Sequence, residues 1–167
     1  PAGEAANGYK SLNMNRVVDY PVFAEIKEHV HDAGKAAGDG SNMGSVLYTR
    51  GMYAAMLAAE AIRKAQEIHG TSDITPAMMR DGMEALEVTE ATMESWGAPG
   101  IGPVFTVSCQ DHGGSGMGIV QQWNAADGTW EPLTEYISPD EEVIAPLVEE
   151  DSMAFAQENN IEAGCSS

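Results

Sequence analysis

The longest uninterrupted helical pattern in this chain of 167 residues runs from Met52 to Ile68. The segment is rich in Ala, Met and Glu and contains neither Gly nor Pro, and such residues lose little side-chain freedom in a helix. Just before it, Val46–Tyr48 is a short apolar run that favours a strand. The local order of strand, turn and helix predicts an α/β fold.

Four other helices are predicted from capping residues and apolar spacing. Residues 21–36 begin with a first-turn proline, and Thr75-Pro76 supplies a cap and a first-turn proline for another helix. Thr89 caps a shorter helix that ends at Gly97. The last helix is predicted from near Pro146 to about Asn159. Its inward-facing residues are predicted to be Leu147, Val148 and Phe155.

The pattern changes to β from Pro103 onward. Val104–Val107 favours a strand, and the segments Gly116–Trp123 and Thr129–Tyr136 flank an Asp127-Gly128 turn. Residues 8–14 also read as a short extended segment. We therefore expect an α/β region followed by a β-hairpin and a terminal helix.

Net charge excludes two classes of partner. The chain carries 8 basic and 26 acidic side chains, a formal charge of -18, which repels phosphate backbones and anionic lipids. The sequence predicts no binding to nucleic acid. It also contains no basic and apolar leader at its start and no window of about 18 apolar residues that would span a bilayer.

The loop Asp111–Gly118 is the segment most typical of an enzyme. Its glycines are typical of a phosphate-binding loop, but the following residues favour a strand where such a loop requires a helix. Cys109 and His112 could act as nucleophile and base, or Cys109 could be buried or in a disulfide. No third catalytic group and no complete set of metal ligands accompanies them. We predict no enzyme activity, no metal site and no cofactor.

A ligand site is predicted on the turn that precedes the long helix. Tyr48, Arg50, Gly51 and Met52 place a phenol, a guanidinium and a glycine where ligands of α/β proteins bind. The alternative is that Tyr48 and Tyr53 belong to the core and Arg50 is a surface charge.

Several short segments, taken in order, resemble a known family. They are Ala2–Tyr9, the Pro21-Val22-Phe23 helix, Tyr48–Ala55, Ile74-Thr75-Pro76, Met83–Leu86, Pro103-Val104-Phe105, His112-Gly113, Gln121-Gln122-Trp123 and Asp127–Trp130. In this order the chain resembles the C-terminal part of type I periplasmic solute-binding proteins of branched-chain amino acid and urea or amide ABC transporters. Each motif is short, but together they cover nearly the whole chain.

The resemblance implies a two-lobed α/β protein that closes over a ligand. Residues 1–9 would lead into a lobe crossing, 10–105 would belong to one lobe, 106–115 would cross, and 116–167 would belong to the other lobe. Within this layout Tyr48 would form an aromatic wall of the pocket. Arg50 departs from the small or apolar residues of the family, which favours a ligand with an extra hydrogen-bond acceptor.

The implied function is the periplasmic, exported substrate-binding component of an ABC importer. Its partners would be a small amino acid, amide or carboxylate and the ABC permease in the membrane. A fragment of this kind would self-associate or pair with the missing N-terminal part. Two alternatives remain open, a ligand-sensing domain of the same fold in a receptor or regulator, and an α/β enzyme that uses Cys109 and His112.

Overall fold

A computed structural model describes residues 3–161 and Cys165 and shows a mixed α/β fold. The helices are α1 (Pro21–Ile26), α2 (Val46–His69), α3 (Pro76–Glu84), α4 (Glu90–Ser95) and α5 (Glu141–Asn159). The strands are β1 (Lys10–Asn13), β2 (Glu87–Val88), β3 (Phe105–Thr106), β4 (Ile119–Asn124) and β5 (Thr129–Pro132). Residues 1–2 of the predicted lead-in, and residues 162–164 and 166–167 of the predicted last region, lie outside the described residues.

Both sheets are small and antiparallel. One has the order β1-β4-β5, with Leu12 opposite Val120 and Trp123 opposite Trp130, and the other pairs β2 with β3. The predicted hairpin is confirmed, and Gly128 in its turn has the positive φ of 69° that glycine adopts without strain. Because β1 pairs with β4, residues 10–13 lie in the sheet of the hairpin, although the resemblance placed them in the other region.

The predicted strand at Val46–Tyr48 is wrong, because these residues form the first turn of α2. The Ser45 hydroxyl accepts a hydrogen bond from the Tyr48 backbone N–H at 3.3 Å, which caps the helix. An apolar run of three residues fits a strand or a helix equally well, and the cap decides in favour of the helix. The helix then continues without a break to His69 and is capped by Gly70, whose φ is 62°.

The capping residues of α3 and α4 are confirmed. The Thr75 hydroxyl accepts from the Met78 backbone N–H, and Thr89 forms a reciprocal capping box with Thr92. The first helix is shorter than the predicted range of 21–36, because α1 passes at Lys27 into a single π-helical turn that ends at His31.

The core lies between the short helices and the β2–β3 pair. Its buried apolar residues are Tyr20, Phe23, Leu86, Val88, Met93, Ala98 and Ile101. Half-buried residues of α2, including Tyr48, Met52 and Tyr53, pack against this cluster. The core thus covers one face of α2 and holds its amino-terminal turn in place.

A polar network joins the three-stranded sheet to this core. The side-chain amide of buried Gln121 donates to the Val17 carbonyl and its oxygen accepts from the Val17 N–H, both at 3.3 Å. The Tyr136 hydroxyl donates to the Ile101 carbonyl at 2.8 Å and accepts from the Arg16 N–H at 2.9 Å. Satisfied buried polar groups of this kind fix orientation, so the hairpin has a defined position relative to α2.

Helix α5 differs from its prediction in both its start and its burial. It begins at Glu141, with Pro146 inside it, and none of its residues is buried. Leu147, Val148 and Phe155, which were predicted to face inward, are 53%, 58% and 61% exposed. Helical spacing identifies an apolar face but not what covers it, and the described residues do not cover this one.

Candidate functional site

An open cleft lies between the hairpin and the amino-terminal end of α2. Its volume is about 1040 Å³. It is lined by Val17–Asp19, Phe23, Asn42–Leu47, Trp123 and Gly128–Trp130. The cleft therefore exists because β4 and β5, the segment before α1 and the turn before α2 meet at one place.

Aromatic rings supply the wall on the hairpin side. Trp123 and Trp130 are cross-strand partners whose ring centroids lie 5.5 Å apart at an interplanar angle of 60°. The ring of Tyr9 meets Trp130 edge-on at 6.3 Å. Edge-to-face arrangements are a favoured geometry of aromatic pairs, so the rings form a continuous aromatic wall.

Polar residues also line the cleft. They are Asp19, Asn42, Ser45 and Thr129. Ser45 caps α2, so the positive end of the dipole of this 24-residue helix lies at the cleft. The cleft thus combines apolar and aromatic residues with a few polar ones, as small-molecule sites commonly do.

Three of the four predicted site residues line a second cavity. This groove of about 580 Å³ follows α2 and is lined by Ile26, Leu47, Tyr48, Gly51, Met52, Ala55, Met56 and Ala59. Leu47 also lines the cleft, so the two cavities adjoin. The Tyr48 ring is half-buried and meets Phe23 edge-on at 6.1 Å, which makes it both a core residue and a wall of the groove.

Arg50 is separated from the other three. It is exposed on α2 and lines neither the cleft nor the groove. Its predicted proximity to Tyr48 assumed a turn, whereas residues two apart on a helix point in different directions.

The glycine-rich segment forms a loop that leads into β4. The Asp111 carboxylate accepts from the Gly113 N–H at 2.9 Å, and the His112 ring lies 3.4 Å from the carboxylate of Glu84. Cys109 forms a disulfide with Cys165. Within residues 3–161 and Cys165, no group of three or more His, Cys, Asp or Glu side chains could hold a metal ion.

Three tyrosines, of which Tyr20 is buried and Tyr53 and Tyr136 are half-buried, stay protonated to high pH. Burial raises the pKa of Tyr53 to about 12, with a further contribution from Tyr136. Burial likewise raises the pKa of Tyr20 and of Tyr136 above the usual value. These phenols are therefore neutral at neutral pH, and the Arg16 guanidinium is a charged group beside Tyr20 and Tyr136.

None of the predicted site residues lines the cleft, and Trp123, Trp130 and Asp19 are among the lining residues that were not predicted. Both tryptophans were part of a strand pattern, which strand propensity alone explains. The two tryptophans lie opposite each other on the strands that the Asp127-Gly128 turn joins. Counting residues outward from that turn could have paired them. Asp19 carries no comparable signal, because only folding brings it to the cleft.

Comparison with known proteins gives one similar structure. No protein-family model matches the chain, and no curated protein matches it. A crystal structure described as an ABC transporter permease from the Pseudomonas fluorescens group matches 99% of this chain with a TM-score of 0.89 and 34% sequence identity. The present chain covers 40% of that protein's chain, which is less than half of its length.

This description contradicts the predicted family. The resemblance identified a type I periplasmic solute-binding protein, and the similar structure is described as a permease instead. The predicted function as the substrate-binding component of an importer is therefore wrong by this comparison. The association with an ABC transporter is the part that the comparison supports. In the part of the chain that is described, no helix is long and apolar enough to cross a membrane.

Proposed function

We propose that this chain works in an ABC transporter assembly, at the assembly's membrane component. The observation that carries the proposal is the similarity of 99% of the chain, at 34% identity, to a protein described as an ABC transporter permease. This chain covers 40% of that protein. The proposed role is therefore that of one part of such a protein and not of a whole transporter.

The cleft supports contact with a small molecule as part of this role. Its volume of about 1040 Å³ and its aromatic wall suit a compact organic ligand. A carboxylate or amide would place its oxygen at the amino-terminal end of α2, where the helix dipole and backbone N–H groups favour negative charge. Tyr48, Gly51 and Met52 remain proposed contacts for a ligand that extends into the groove, whereas Arg50, which lines neither cavity, is not one of them.

The proposal involves no covalent chemistry. Cys109 is held in a disulfide, so it has no free thiol to act as the nucleophile of the alternative enzyme. Disulfides persist in oxidising compartments, which supports a location outside the cytoplasm, in the periplasm. The division of the chain at residues 106–115 into two regions stays a proposal.

Association with the transporter is tested by cross-linking in cells. The tagged full-length protein is cross-linked, purified from solubilised membranes and analysed by mass spectrometry beside an untagged control. We expect an ATP-binding subunit and membrane-spanning polypeptide to be enriched with it. Recovery of the protein without any transporter polypeptide would contradict the proposal.

Ligand contact is tested separately by calorimetry with small carboxylates and amides. Trp130→Ala removes part of the aromatic wall and should weaken binding about two- to tenfold, in keeping with about 0.5 to 1.5 kcal/mol for an aromatic contact. Leu133→Ala is the control, because Leu133 lies on the hairpin outside the cleft and is 47% exposed. Equal affinity in the two variants would remove the cleft as the ligand site.

A further inference from the structure

The formal charge on the walls of the cleft beside the hairpin is negative. Asp19 is the charged side chain there, and among the described residues no Lys, Arg or His lines the cleft. Asp19 is exposed, and its carboxylate takes part in none of the ion pairs of the described residues. The whole chain adds a formal charge of -18. Such a site favours a ligand that carries a positive group.

Aromatic rings give the cleft a second preference for cations. Trp123 and Trp130 line it together with Phe23. The ring centroids of the two tryptophans lie 5.5 Å apart at an interplanar angle of 60°, and both side chains are half-buried, so part of each ring stays open to solvent. The face of an aromatic ring carries partial negative charge, and tryptophan attracts cations most strongly. Two neighbouring tryptophans and a carboxylate outside any ion pair therefore suit an organic cation.

The polar residues of the cleft indicate which kind of cation fits. Apart from Asp19, they are Asn42, Ser45 and Thr129. The Ser45 hydroxyl already accepts from the Tyr48 N–H at 3.3 Å. A primary ammonium brings three N–H donors, and each donor that is buried without an acceptor costs free energy. A quaternary ammonium brings none, and its methyl groups pack against aromatic faces. The few acceptors of the cleft therefore favour the quaternary group.

We propose that the cleft binds a quaternary ammonium compound, whose cationic head contacts Trp123 and Trp130 and is balanced by the charge of Asp19. This inference rests on the proposed function, because it names the ligand class of the same cleft. It is compatible with an acceptor oxygen elsewhere on the ligand. The amino-terminal end of α2 favours such an oxygen and disfavours a cation, so the two groups of the ligand bind at different parts of the cleft.

Calorimetry on the purified full-length protein tests the proposal with three related alcohols. Choline carries a quaternary ammonium, dimethylbutanol has carbon in place of the nitrogen of choline and is neutral, and ethanolamine carries a primary ammonium. We expect choline to bind about tenfold more tightly than either of the other two. Affinity for the neutral alcohol or for ethanolamine as high as that for choline overturns the proposal, as does the absence of choline binding at millimolar concentration.

The same titrations separate this inference from the ligand contact of the proposed function. Binding of the neutral alcohol or of a small carboxylate, without binding of choline, would keep the cleft as a ligand site and remove only the cation. Absence of binding by every probe would remove the cleft from both. The cross-linking test of the transporter role is independent of either result.

Two substitutions test the groups that would hold the cation. Asp19→Asn removes the charge and should weaken choline binding about fivefold at low ionic strength, with binding of the neutral alcohol unchanged. Trp130→Leu keeps an apolar side chain but removes the aromatic face, and should weaken choline binding about tenfold. Because Asp19 is exposed, its replacement does not disturb the core, which circular dichroism verifies.

Asp73→Asn is the matched control for charge. Asp73 is exposed between α2 and α3 and lies outside the cleft, so we expect its replacement to leave choline binding unchanged. An equal loss in Asp19→Asn and Asp73→Asn would mean that the net charge of the chain attracts the cation. Unchanged choline binding in either cleft variant would place the cation elsewhere. Each of these results overturns the proposal.

Discussion

Gly82 is the residue at which α3 packs against α2, and its replacement by alanine tests that packing directly. Gly82 is buried, as are Ala61 and Ala65 on the facing side of α2. A Cβ added at Gly82 would overlap the Ala61 carbonyl oxygen and lie 2.8 Å from both the Cβ and the backbone nitrogen of Ala65. Two of these three neighbours are backbone atoms, so the helices themselves must separate.

Two opposing effects set the size of the change in Gly82→Ala. Alanine is favoured over glycine in a helix by about 1 kcal/mol, whereas overpacking a tight interface costs about 1 to 3 kcal/mol or more. The clash with backbone places the cost at the upper end, so we expect a net loss of about 2 kcal/mol in the free energy of unfolding. For a chain of this size that loss lowers the melting temperature by about 4 to 8 °C.

Gly51→Ala is the matched control for this experiment. Gly51 lies inside α2, is exposed, and has no atom within 4 Å of an added Cβ. Only the helix propensity changes there, so we expect about 0.5 to 1 kcal/mol of added stability. Urea unfolding followed by far-ultraviolet circular dichroism measures both variants. A Gly82→Ala protein as stable as Gly51→Ala would refute the close approach of α2 and α3.

Three further predictions concern the disulfide, the polar network and a buried phenol. Cys165→Ser opens the loop between Cys109 and residue 165 and should cost about 2 to 4 kcal/mol in urea unfolding; a reductant should destabilise the parent protein equally and leave the variant unchanged. Tyr136→Phe removes the hydroxyl that bonds Ile101 and should cost about 1 kcal/mol, whereas an unchanged unfolding midpoint would mean that the network does not hold the hairpin. Burial raises the pKa of Tyr53 from the usual tyrosine value of about 10 to about 12. Its contribution to stability is therefore complete below pH 10 and is lost as the pH rises from 10 to 12, so the stability of Tyr53→Phe should fall less steeply over that range.

The parts of the fold that the sequence predicted depend on neighbouring residues. Thr75 and Thr89 cap helices because their hydroxyls reach backbone N–H groups three residues away, and Asp127-Gly128 turns the chain because glycine tolerates a positive φ. Such interactions need no distant partner. The strand predicted at Val46–Tyr48 failed for a related reason, since its short apolar run left the choice to the Ser45 cap.

The candidate site was predicted less well, because its walls come from distant parts of the chain. Tyr48, Gly51 and Met52 were placed near a cavity, but on a helix and not on a turn. The larger cleft brings Asp19 together with Trp130, more than a hundred residues away. No local pattern encodes such a meeting, which follows from the pairing of β1 with β4 and the buried amide of Gln121.

The sequence by itself determined the class of the fold, the hairpin, the capped helices and the strongly acidic surface. Each follows from backbone preferences or from charge, which are properties of short segments or of composition. Only the tertiary structure decided which faces are covered, because burial depends on what other segments lie opposite. Helix α5 illustrates the difference. The spacing of its apolar residues can be recognised in the sequence, but the 53% exposure of Leu147 is known only from the structure.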